Sequence, residues 1–138
     1  MSNLLNFTDN GLINLISTQP VKATTDRLEE IIKAKGMNIV ARVNHAAAAE
    51  KIGEILRPTE LILFGNPQAG TPLMQSQQSV GIDLPQKILV WEDDQGKVWL
   101  TYNNPEYLKA RHGIEDCDEL IDNISTALDD ISHTTSED

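Results

Sequence analysis

The spacing of apolar positions changes character several times along this chain, and each change marks an element. Gly11–Thr18 (GLINLIST) is short and rich in Leu and Ile, and reads as a first strand. Leu28, Ile31 and Ile32 then recur at i, i+3 and i+4, which predicts an amphipathic helix of about three turns. Thr24, Thr25 and Asp26 offer N-caps for it, Asp26 and Glu29 have capping-box spacing, and Gly36 stands where a C′ glycine belongs. Over Met37–Val43 the period drops to two. Met37, Ile39, Ala41 and Val43 point one way and Asn38, Val40 and Arg42 the other, as in a strand with one buried face.

Asn44 caps a short helix that opens in the alanine run 46–49 and reaches about Leu56, before Pro58 disfavours helix at Arg57. Leu61–Phe64 is a strand that runs into Gly65-Asn66-Pro67-Gln68-Ala69-Gly70-Thr71-Pro72, a loop of turn formers. Thr71 followed by Pro72 reads as an N-cap with proline at N1, leading to a short helix or turn through Gln75–Gln78. Lys87–Glu92 and Val98–Tyr102 form a hairpin across Asp93-Asp94-Gln95-Gly96, which sets Trp91 and Trp99 on neighbouring strands. Asn104 and Pro105 open a helix through Arg111 that Gly113 ends. Ile114, Cys117, Leu120, Ile121, Ile124, Leu128 and Ile131 then make the apolar stripe of a last helix, with a disordered tail over 133–138. Strands clustered in the middle with helices outside predict an α+β layer fold with a mostly antiparallel sheet.

The length, 138 residues, fits one domain with a single core. A formal charge of −10 first reads as a global property, but residues 1–114 hold 12 acids against 11 bases. Residues 115–138 hold 9 acids and no Lys or Arg, so the acidity belongs to the last helix, whose charged face is solvated. Nucleic acid is disfavoured as a partner because no cluster of Lys and Arg is present to neutralise phosphates. Cys117 is the sole cysteine and forms no internal disulfide. MSNLLNFTDN lacks the basic and apolar regions of a signal peptide, and the apolar runs fall short of a membrane span. A cytoplasmic location with no membrane partner is therefore expected.

Gly65 and Gly70 have the spacing of a phosphate loop after a strand, but Thr71 stands where its lysine belongs and Pro67 removes one N–H from the cradle. Nucleotide hydrolysis is excluded, while an anion docked at a helix N-terminus near Thr71 stays open beside the reading of a structural turn. His45 at a strand–helix junction and Asp83 ahead of Pro85 are candidates for an acid–base or ligand-holding pair, against structural roles for each. His45, His112 and His133 fall in separate elements without metal-ligand spacing. Haem ligation through His45 or Met74 is an alternative that the spacing does not require. Cys117 lies on an apolar stripe among acids that oppose a thiolate, and is read as core.

Several segments together resemble the bacterial domain-of-unknown-function 302 family: Arg57-Pro58-Thr59, Leu63-Phe64-Gly65-Asn66-Pro67, Gly70-Thr71-Pro72-Leu73-Met74, Asp83-Leu84-Pro85, Trp91-Glu92-Asp93, Tyr102-Asn103 and Tyr107-Leu108. The resemblance spans about residues 11–113. It implies a β-α-β(4)-α arrangement like that of the TATA-binding protein, and a homodimer, but no settled activity. It places His45, Arg57, Asn66, Thr71, Met74 and Asp83 in the family's polar and loop signature. The family's Asp-His is Asn44-His45 here, which removes a carboxylate beside the histidine. On this reading residues 1–113 form the domain, 114–132 an added acidic helix and 133–138 a tail. The leading function is a small-molecule or anion-binding domain with its pocket at the 65–72 loop, His45 and Asp83. A homodimeric interaction module follows, then a haem- or metal-binding protein, and a small His/Asp hydrolase or isomerase last. The cofactor is unknown.

Overall fold

A computed structural model describes residues 10–137. Among these residues, five strands and five α-helices follow in the order β1 (Leu12–Ser17), α1 (Val21–Ala34), β2 (Asn38–Asn44), α2 (His45–Lys51), β3 (Thr59–Gly65), α3 (Pro67–Ser76), a 3-10 helix (Gln78–Asp83), β4 (Gln86–Glu92), β5 (Val98–Asn103), α4 (Pro105–His112) and α5 (Asp118–Ser136). The strands form one antiparallel sheet in the order β1-β5-β4-β3-β2. This is the expected α+β fold with a β-α-β(4)-α backbone.

The core lies between one face of the sheet and the helices. Ile62, Phe64, Ile88, Val90, Leu100 and Tyr102 meet Leu28 and Ile32 of α1 and Ile121, Leu128 and Ile131 of α5. Each fully buried Leu or Ile contributes on the order of 1.5–3 kcal/mol of apolar transfer. α1 packs on β2, β3 and β4, while α5 packs on α1, α4 and β1. α5 is thus part of the core layer and not an appendage.

Several boundaries fall where sequence alone did not put them. α1 begins at Val21 after Pro20, ahead of the expected caps. Val21 is buried, Thr24 bonds Ser17 (Oγ–Oγ 2.7 Å) and Thr25 donates to the Val21 carbonyl, so both threonines serve packing inside the helix. α2 stops at Lys51, short of Leu56, and Gly53 turns the chain at φ +79°. α3 begins at Pro67, with the Asn66 carboxamide accepting from Gln68 N–H, so Asn66 is the cap and Thr71 lies one turn inside. Proline at the first helical position gives up only an N–H that had no partner there. α5 continues through Ser136 with Ser132 and Thr135 buried, past the point where a disordered tail was expected to begin.

The largest departure is in β2. A bulge between Ile39 and Ala41 pairs Ile39 with Phe64 but Arg42 with Ile62, so two residues on one strand, Val40 and Ala41, oppose one on the other, Leu63. Beyond it the faces exchange. Arg42 turns to the helix side, and Val43 emerges exposed beside Leu61, against the alternation expected for the strand. The hairpin, by contrast, matches expectation: Gly96 takes φ +81°, and Trp91 and Trp99 stack with centroids 6.4 Å apart.

Candidate functional site

A cavity of about 570 Å³ opens where β2, β3 and β4 end beneath α3 and α5. Phe64, Leu73 and Met74 form its floor and one wall, and Leu120, Ile124 and Ala127 of α5 close the other. Its polar groups are few and uncharged, chiefly Asn38, Asn66, Thr71, Gln86 and Asn123, and among the described residues no Lys, Arg, His, Asp or Glu lines it. A volume in this range with an apolar wall and scattered hydrogen-bonding groups is typical of small-molecule sites. Such a lining favours uncharged apolar matter, because nothing offsets the desolvation of a buried charge.

The six residues singled out from sequence do not come together in one place. Asn66, Thr71 and Met74 line the cavity. His45 is exposed at the start of α2. The register puts it at the β2 end that meets Glu60, whereas Asp83 precedes the β4 start that meets Phe64, at the opposite end of the sheet. The two do not form a pair. Arg57 is exposed in the connection between α2 and β3. With Met74 on the cavity wall and His45 outside it, the two haem-ligand candidates are also apart. Among the described residues, no group of three or more His, Cys, Asp or Glu is placed to hold a metal ion.

Asp83 has a different histidine. Its Oδ2 lies 2.6 Å from His112 Nε2, and His112 Nδ1 lies 2.8 Å from Ser79 Oγ. Arg111 Nη1 approaches both Asp83 oxygens at 3.4 Å, and Lys87 donates to the Asp83 carbonyl at 2.9 Å. Burial holds the Lys87 ammonium below its ordinary pKa, partly offset by the Asp83 charge. Sequence reading weighed His112 only as one of three histidines without metal-ligand spacing, and nothing local in the chain ties it to residue 83.

A third cluster surrounds Arg42. Its guanidinium donates to Glu60 at 2.8 Å, Asp26 at 2.7 Å and Glu29 at 3.4 Å. The Glu60 bond, reinforced by Asp26, holds the guanidinium charged and raises its pKa against the effect of burial. Lys22 first, then Arg42, hold the Asp26 carboxyl below its ordinary value, and Lys33 does the same for Glu29. An open, more polar cleft of about 840 Å³ lies over this cluster, between α1, α2 and the Glu54–Pro58 connection. Because the guanidinium is already bound by three carboxylates, the cluster reads as a structural clasp between α1 and the edge of the sheet.

Comparison with known proteins adds a fold and a family. A solved structure of an uncharacterised conserved DUF302 protein from Bacillus stearothermophilus superposes with a TM-score of 0.80, covering 93% of this chain and 99% of that one at 19% identity. In sequence, the chain is 49% identical over 106 residues to a protein of Brucella suis biovar 1 (strain 1330) named fluoride-specific ion channel FluC 1, covering 77% of this chain and 42% of that protein. A Brucella melitensis protein named fluoride-specific ion channel FluC 2 matches at the same identity over 39% of its length. The chain therefore spans about two fifths of the curated relatives it matches. The sequence model of the family described as domain of unknown function DUF302 matches residues 13–131, which takes in β1 to α5 and brings the last helix inside the family's span. The chain belongs to the DUF302 family.

Proposed function

We propose that this domain binds a small, uncharged and largely apolar molecule in the cavity between α3, α5 and the ends of β2–β4. The observation that carries the reading is the composition of the lining: apolar side chains with a few amides and one hydroxyl, and no ionisable group among the described residues. Asn66 is fixed by its capping bond to Gln68, so its carboxamide is held in place before any ligand arrives. The same lining favours a neutral ligand over an anion. The fluoride channel named in the relatives supplies nothing to this reading, since the match covers two fifths of those proteins. None of the described helices is long and apolar enough to cross a membrane.

The test is a fluorescent apolar probe, Nile red, titrated into the whole chain and into Ala127→Trp, which fills the cavity from the α5 side. Saturable binding that the substitution removes, with the melting transition retained, supports the reading. Absence of saturable binding by the unmodified protein refutes it.

A second reading, a homodimer through the sheet, rests on a separate observation. On the side of the sheet away from the core, Leu61, Leu63, Leu89, Trp91 and Trp99 are half buried, and Leu12, Ile16 and Val43 are exposed. Lys87 is the single charged residue the register places among them, so two copies meet there without like-charge repulsion despite the net charge of −10. Light scattering after size exclusion tests it. A dimer that Leu61→Glu converts to monomer supports the interface, and a monomer at all concentrations overturns it.

A further inference from the structure

Ser79, His112 and Asp83 are joined in one hydrogen-bonded chain, with Ser79 at its solvent end and the other two side chains largely covered. Ser79 is exposed, the His112 side chain is 7% exposed and the Asp83 side chain 15%. A carboxylate only accepts, so Asp83 Oδ2 accepts a hydrogen bond from His112 Nε2–H. That tautomer leaves the Nδ1 lone pair facing the Ser79 hydroxyl at 2.8 Å. Arg111, against both Asp83 oxygens, adds a second partner that fixes the carboxylate. A nucleophile, a base and an orienting acid are recognised by this geometry and not by chain order.

We propose that Ser79 is an activated nucleophile for acyl transfer from small esters with an apolar acyl group, with His112 as its general base and Asp83 as the residue positioning that base. The acyl preference comes from Ile82. It is 76% exposed and lies three residues after Ser79 on the 3-10 helix, where residues at i and i+3 eclipse. It therefore offers apolar surface beside the hydroxyl. The proposal is independent of the cavity ligand, although Gly81 of the same turn lines the cavity.

The chemistry balances within these groups and water. As Ser79 Oγ bonds the ester carbonyl carbon, its proton passes to His112 Nδ1. Collapse of the tetrahedral adduct breaks the bond to the alkoxide, which leaves with that proton. Water then repeats the sequence: its oxygen attacks the acyl-serine, its proton goes to His112, and the acid departs as the Ser79 hydroxyl is restored.

The experiment treats the whole chain with a fluorophosphonate probe, locates the adduct by peptide mapping, and follows hydrolysis of p-nitrophenyl butyrate. The expected result is a probe adduct on Ser79 and ester turnover that Ser79→Ala abolishes. His112→Gln lowers turnover by roughly 10²-fold or more, the range of general-base contributions. Asp83→Asn lowers kcat while KM is kept, which a purely structural latch between α4 and the 3-10 helix does not predict. A protein that carries the probe on no serine, or on another serine, overturns the proposal. So does a Ser79→Ala variant that hydrolyses the ester as fast as the unmodified chain. Peptide mapping needs no variant, so the outcome does not depend on whether His112→Gln folds.

Discussion

Arg42 and Glu60 lie diagonally across β2 and β3, Nε to Oε1 at 2.8 Å, on the face of the sheet that α1 covers. The Glu60 side chain is 9% exposed and that of Arg42 is 25% exposed, so the pair is largely removed from water. Arg42→Ala leaves a buried carboxylate without its cation. The expected loss is about 2–3 kcal/mol, below the value for a fully buried pair because Arg42 is partly solvated. Urea unfolding measures it, and Arg42→Lys recovers only part because an ammonium lacks the guanidinium's fork. Asp26 and Glu29 have lowered pKa values in the folded state. Their contribution is therefore complete above the ordinary carboxylate range and is lost as pH falls through the lowered values. The difference between Arg42 and Arg42→Ala proteins narrows in acid, from about pH 4 downward.

Gly11 takes φ +75°, and a Cβ built there overlaps the Tyr107 ring, while its carbonyl accepts from Asn104 N–H at 2.9 Å. Gly11→Ala is expected to lose about 2–4 kcal/mol through strain and overlap together. Gly36 has φ +82° and, its chain neighbours aside, no described residue comes within 4 Å of such a Cβ, so Gly36→Ala loses only about 1 kcal/mol. Thermal melts of the two variants separate the overlap from the backbone term.

Leu128 is buried in α5 against the shared core. Leu128→Ala is expected to lose about 3 kcal/mol in denaturant unfolding, as for other large-to-small changes in a packed core. Removal of residues 114–138 is expected to abolish the cooperative transition. A truncated chain that unfolds with an unchanged midpoint contradicts the assignment of α5 to the core.

Burial pushes the Tyr102 phenol up to about 12, with the Asp129 charge acting in the same direction. In spectrophotometric titration one of the two tyrosines should ionise late, and Tyr102→Phe should remove that step. The sign for stability follows from the raised folded value. The contribution is complete below the unfolded pKa of about 10 and is lost as pH rises from there toward the folded value. Tyr102→Phe should therefore be less sensitive to alkali than the unmodified chain.

The amino-acid sequence by itself determined the kinds of element and most of their order. The 3–4 residue spacing from Ile114 to Ile131, the Asn104-Pro105 start and Gly113 end of α4, and the glycine at residue 96 of the hairpin are local signals. They act through backbone geometry and a few neighbours, and the structure agrees with them except that the last helix opens at Asp118, which leaves Ile114 outside it and Cys117 at its cap. The resemblance in motifs gave the family, and the match over residues 13–131 bears it out. Asn66 rather than Thr71 as the cap was within reach of local reasoning, since Asn-Pro is as good a helix start as Thr-Pro.

Only the tertiary structure decided which residues meet. One extra residue in β2 brings Arg42 to the core side, and a bulge of that kind leaves no mark in a pattern that otherwise alternates cleanly. The partner of Asp83 is His112, 29 positions further on, and not His45, because β3 carries the chain to the opposite end of the sheet from α2. The cavity exists only because α5 folds back over the ends of the strands. Periodicity fixes which side of each element is apolar. The choice of what that side packs against depends on chain closure over tens of residues, where spacing along the sequence carries no information.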